Sequence, residues 1–77
     1  MNYGKNEAIR HQYMLLSRLE MDCEYYLGCG NMNDKHLWAG NVHDQIKKMK
    51  VIHKSLIDKP EWLTWEQIKE YENQMTK

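Results

Sequence analysis

The sequence predicts an all-α protein: a compact three-helix bundle with an additional short helix before the second long helix. Two observations predict it. Apolar residues recur at helical spacing in separate stretches divided by Gly, Asn and Pro clusters, and no alternating run competes as a strand. Two strings, His36-Leu37-Trp38-Ala39-Gly40-Asn41 and Glu61-Trp62-Leu63-Thr64-Trp65-Glu66-Gln67-Ile68, carry all three tryptophans and read as helix ends with tight turn and cap chemistry.

The first helix is expected from about Asn6 to Leu27, where Ile9, Tyr13, Leu16, Leu19, Cys23, Tyr26 and Leu27 share one broad face. Residues 1–5 read as a flexible polar N-terminus and residues 6–76 as a single helical domain. Gly28-Cys29-Gly30 ends the helix, with Gly28 expected in the left-handed conformation that closes it. Asn33 then caps a short helical segment from Asp34 through Trp38, which Gly40 stops. Asn41 is the expected N-cap of the second long helix, and Asp44 complements the dipole in its first turn. Val42, Ile46, Met49, Ile52, His53 and Leu56 form its buried stripe, which runs to about Ile57. Lys59-Pro60 closes this unit, because the residue before proline resists helical geometry. The last helix starts most clearly: Thr64 and Gln67 have capping-box spacing, and Leu63 and Ile68 take the hydrophobic-staple positions. Trp65, Ile68, Tyr71 and Met75 are its inward side.

At 77 residues, one domain buries only roughly 60–65% of its unfolded surface, so a few large side chains must carry the core. With three Trp, five Tyr, six Met and no Phe, the tryptophans are expected inside. An enclosed substrate pocket usually needs roughly 300 Å³ or more, which counts against an enzyme acting as a monomer. Lys plus Arg equals Asp plus Glu at eleven each. That balance implies neither a bulk nucleic-acid binder nor an acidic DNA mimic, and leaves a protein–protein contact most open. With no signal-like or membrane-spanning apolar run, the chain reads as cytoplasmic with reduced Cys23 and Cys29.

No catalytic group is expected. Ser17, Ser55 and Cys29 lack the context of an activated nucleophile, and among Glu20, Asp22 and Glu24 alternate carboxylates point to different sides of a helix. Cys23, Cys29, His36 and His43 are spaced by six, seven and seven residues, unlike a zinc knuckle, so neither a metal nor a cofactor is expected. His53 falls on the buried stripe and reads as a half-buried histidine with a satisfied hydrogen bond. Glu20 falls within the inward arc, where a charge needs a partner such as Arg10, Arg18, His53 or a lysine, or else an interface. Lys47, Lys50 and Lys54 form a basic ridge, with Lys48 turned elsewhere; a solvated outer side is the simpler reading, a phosphate-tracking groove the other. Met14, Leu15, Met21, Tyr25 and Met32 do not fit the inward stripes. Met14, Met21 and Tyr25 lie opposite the core side of the first helix, and these residue types suit a docking or dimer surface.

The strings Tyr13-Met14-Leu15-Leu16-Ser17-Arg18-Leu19, Asp22-Cys23-Glu24-Tyr25-Tyr26-Leu27-Gly28, Gly30-Asn31, Lys35-His36-Leu37-Trp38-Ala39-Gly40-Asn41, Gln45-Ile46-Lys47-Lys48-Met49 and Pro60-Glu61-Trp62-Leu63-Thr64-Trp65-Glu66-Gln67-Ile68 resemble one family. It is the eleventh type of large polyvalent protein-associated domain, and the similarity spans roughly residues 12 to 75. The resemblance implies a small module carried by phages, plasmids and conjugative elements, alone or fused into long polyvalent proteins. It implies a context of antirestriction factors, anti-CRISPR proteins and their regulators, and supplies no site residue. Cys29 and Met32 depart from the small or polar residues that family usually has in this turn. The expectation is a non-enzymatic module that docks on a host or element-encoded protein, such as a defence nuclease, through Met14, Met21, Glu24, Tyr25 and Met32. The alternative is a nucleic-acid-binding accessory using Lys47, Lys50 and Lys54, and a third reading is a structural homodimerisation module.

Overall fold

A computed structural model describes residues 3–76, with side chains from Glu7 onward. Three helices, α1 (Tyr3–Leu27), α2 (Val42–Ser55) and α3 (Trp65–Met75), pack pairwise on one another, and a 3-10 turn over Asp34–His36 lies against α1. Helix α1 therefore starts before the expected Asn6; Met1 and Asn2, the rest of the expected flexible N-terminus, lie outside the described residues. The short segment expected to reach Trp38 is only this 3-10 turn, with the Asn33 side chain accepting from the Lys35 N–H.

The core is aliphatic. Leu16, Leu19, Cys23 and Tyr26 of α1 meet Ile46, Met49 and Ile52 of α2 and Ile68 and Met75 of α3, with Leu37, Leu56 and Leu63 from the connections. The tryptophan expectation is corrected: Trp38 and Trp62 are 51% and 44% exposed, and Trp65 is only partly covered. Trp38 and Trp62 sit outside the regular helices, where no periodicity tells a side chain which way to face. Leu15, by contrast, packs against the core, while Ile9 lies on an unpacked stretch of α1 and is exposed.

Helix ends follow local chemistry. Asn41 caps α2, accepting from the Asp44 N–H at 2.8 Å. Thr64 and Gln67 close a full capping box, with Gln67 N–H to Thr64 Oγ1 at 3.1 Å and Thr64 N–H to Gln67 Oε1 at 2.8 Å. At the end of α1 the left-handed residues are Asn31 and Met32 rather than Gly28. The chain makes two further turns of hydrogen bonds past Leu27, with Gly30 N–H reaching the Tyr25 carbonyl at 2.6 Å and Met32 N–H the Tyr26 carbonyl at 2.9 Å. Helix α2 ends at Ser55 rather than Ile57, and the Lys59 ammonium donates to the carbonyls of His53, Lys54 and Leu56. A cation there offsets the negative end of the helix dipole.

Candidate functional site

Two surfaces offer chemistry. The first is the outer side of α1. A helix advances about 100° per residue, so Met14, Met21 and Tyr25 line up on one side while Leu16, Leu19, Cys23 and Tyr26 face the core. Met14 and Met21 are 65% and 62% exposed, Tyr25 is about half exposed, and Met32 is exposed in the turn beyond. Tyr25 is fixed by its neighbours. Its ring packs edge-on against His36 at 4.9 Å, and Gly30 lets the turn close over it. A Cβ added at Gly30 would lie 2.9 Å from the Tyr25 carbonyl and 3.1 Å from both rings, so no larger residue fits without movement. Glu24 stands apart from this row: its carboxylate accepts from the Tyr71 hydroxyl at 3.0 Å and ties α1 to α3. The structure thus groups Met14, Met21 and Tyr25, and sends Glu24 to a helix seam.

The second surface is a shallow open groove of about 550 Å³ between the Trp38–Ala39 segment and α2, lined by Trp38, Ala39, Asp44, Lys47, Lys48 and Val51. Its tryptophan is held by backbone bonds on two sides. Trp38 N–H donates to Asp22 Oδ2 at 3.0 Å, and Asp22 also receives Arg18 Nε at 3.4 Å. Ala39 N–H donates to Gln45 Oε1 at 3.0 Å, while Gln45 Nε2 donates to the Leu19 carbonyl at 3.1 Å. Gln45 has no exposed surface. Its polarity hides it among the apolar residues of the buried stripe, although it stands at helical spacing, four residues before Met49 and seven before Ile52.

The expected lysine ridge is divided by the fold. Lys50 pairs with Glu72 of α3 at 3.0 Å, and the Lys54 ammonium lies 5.4 Å from the centre of the Trp65 ring. Lys47 opens onto the groove together with Lys48, against the expectation that Lys48 turns elsewhere, and it also lines a smaller groove with Lys50 and Glu72. Neither the Lys47 nor the Lys48 ammonium is within ion-pair distance of a carboxylate among the described residues.

The remaining candidates resolve simply. His53 is buried, with Nε2 at 3.2 Å from the Leu63 carbonyl, and does not reach Glu20. The expected ion pair for Glu20 is not present among the described residues; partial burial, and then the neighbouring Glu24 charge, raise its pKa above the usual carboxylate value. Cys23 packs against Met49 with sulfur atoms 3.5 Å apart, and burial pushes its thiol up to about 12. Cys29 is exposed. Among the described residues no group of three or more His, Cys, Asp or Glu side chains is placed to hold a metal ion, and no helix is long and apolar enough to cross a membrane.

Compared with known protein families, residues 9–75 match large polyvalent protein-associated domain 11. The chain belongs to this family. The match takes in all of α2 and α3, most of α1, and both surfaces just described, nearly the whole chain. No curated protein and no solved structure matches the chain.

Proposed function

We propose that this chain is a non-enzymatic protein-binding module of a mobile genetic element, acting by steric docking through the outer side of α1. The observation that carries this reading is the exposed row of Met14, Met21 and Tyr25 opposite the core, with Met32 exposed in the turn that follows the helix. Methionine repacks readily against a partner, and tyrosine is enriched where proteins meet. Tyr25 is held against His36 beside Gly30, which lowers the ordering cost of binding. A standard interface covers about 800 Å² per partner, and a helix the length of α1 supplies much of it.

In its sharper form, the partner is a bacterial defence protein, and the module is an inhibitor of anti-CRISPR or antirestriction type working in the cytoplasm of a host reached by a phage or plasmid. Membership in a family of polyvalent-protein-associated domains supports that setting. The nucleic-acid alternative is less favoured, because Lys50 and Lys54 are already engaged by Glu72 and Trp65.

The test is capture from a nuclease-treated lysate of bacteria carrying defence systems, with wild type and Met21→Glu/Tyr25→Glu side by side. A stoichiometric protein retained by wild type and lost by the double variant, at unchanged circular dichroism, supports the reading. Equal retention by both removes the α1 row as the contact, and recovery of nucleic acid alone when nuclease is omitted removes the protein-docking reading.

A further inference from the structure

The groove beside Trp38 is not accounted for by docking through α1. It is also built differently, since its lining mixes Trp38, Ala39 and Val51 with the charges of Asp44, Lys47 and Lys48. Trp38 and Val51 are both about half exposed, which is costly for two large apolar side chains on a domain this small, yet backbone bonds to Asp22 and Gln45 hold the Trp38 segment in place. Lys47 and Lys48 line it too, neither within ion-pair distance of a carboxylate among the described residues, although the Asp44 carboxylate is near enough to feel the Lys47 charge. Asp44 stands beside them, one turn earlier on the same side of α2. The Asn41 side chain, and then His43, donate to its carboxylate and hold its pKa below the usual range, so the group stays ionised.

We propose that this groove is a second docking site, for a peptide segment that lays a large aliphatic or aromatic side chain on Trp38 and Val51 and an acidic residue against Lys47 and Lys48. The mixed lining is what selects a peptide. A segment of polypeptide carries donors as well as carboxylates, and can turn an N–H toward Asp44 while its acid meets the lysines. A nucleic-acid strand carries a phosphate at every step and has to bring one close to Asp44. The net charge of zero points the same way. The site stands on its own geometry, whether or not the α1 row carries a contact.

A random peptide display library selected on the full chain tests it. Recovered peptides are expected to pair Asp or Glu with Leu, Ile, Phe or Trp. Their binding should weaken by roughly tenfold or more in Trp38→Ser, in Val51→Glu and in Lys47→Glu/Lys48→Glu, each checked for unchanged circular dichroism. Val51→Glu serves as the independent variant should Trp38→Ser disturb its segment. Met21→Glu/Tyr25→Glu should bind these peptides as wild type does, which separates this site from the α1 row. Peptides insensitive to Trp38 and Val51, or lacking acidic residues, overturn the proposal. So does a short oligothymidylate that binds through Trp38 with an affinity falling steeply with salt.

Discussion

A glutamine without solvent exposure must place both ends of its amide, and Gln45 places them on main-chain groups of two different segments. Leucine at that position would fill similar volume and leave the Ala39 N–H without its acceptor. Ala39 is part-buried, so its unpaired donor costs about 1 kcal/mol, and Gln45→Leu should lower Tm by roughly 4–8 °C in a thermal melt. A shift within error would mean that Ala39 finds water instead. The two thiols differ in the same residue-level way. Cys29 is exposed and should react with a thiol reagent at pH 8, whereas Cys23 should react only after denaturation, giving one equivalent and then two. The folded-state pKa of Cys23 lies above its ordinary value of 9.0, so its contribution to stability is complete below about pH 9 and is lost as pH rises toward 12. Burial raises Tyr26 and Tyr71 in the same sense, Tyr71 also because its hydroxyl donates to Glu24. Tm should therefore fall above about pH 9, and less steeply in Tyr71→Phe; a flat profile to pH 11 would contradict these assignments.

Element ends show how much of the fold local sequence could announce. The Thr64–Gln67 box and the Asn41 cap were both legible, because a cap depends only on residues three apart. Thr64→Ala should cost about 1 kcal/mol, with Thr64→Ser recovering most of it, as read from urea midpoints at constant m-value. The cap on α2 was hidden, because Lys59 reaches back over a chain reversal to carbonyls at the helix end. Replacing it with Met keeps the aliphatic stem and removes the charge, and should cost roughly 0.5–1 kcal/mol. The facing of Trp38 and Trp62 was hidden for a different reason: helical periodicity orients residues inside helices, and both lie outside them. Of the candidate site, the Met14–Met21–Tyr25 row could be read from spacing on one helix. The groove could not, since it forms between α2 and a segment held there by long-range contacts: the buried Gln45 amide, the Asp22 carboxylate and the burial of Leu37.

At the scale of the whole molecule, neighbouring residues of α3 reach out to the other two helices, Tyr71 to Glu24 of α1 and Glu72 to Lys50 of α2. Both fastenings are partly solvated, so each should contribute about 1 kcal/mol or less. Tyr71→Phe and Lys50→Ala should be close to additive, since their partners differ. This also decides how the α1 surface has to be probed. Charge reversal at Glu24 would loosen the α3 seam, so loss of binding in such a variant would not by itself implicate the outer row. Met14 and Met21 are exposed and outside the core, so Met14→Ser and Met21→Ser should leave Tm within roughly 2–4 °C of wild type. The outward tryptophans have a spectroscopic consequence. With Trp38 and Trp62 about half exposed and Trp65 partly covered, denaturation should move indole emission only modestly to the red. Fluorescence would then be a poor gauge of folding and a sensitive one for whatever covers Trp38, whose shielding would shift emission to the blue.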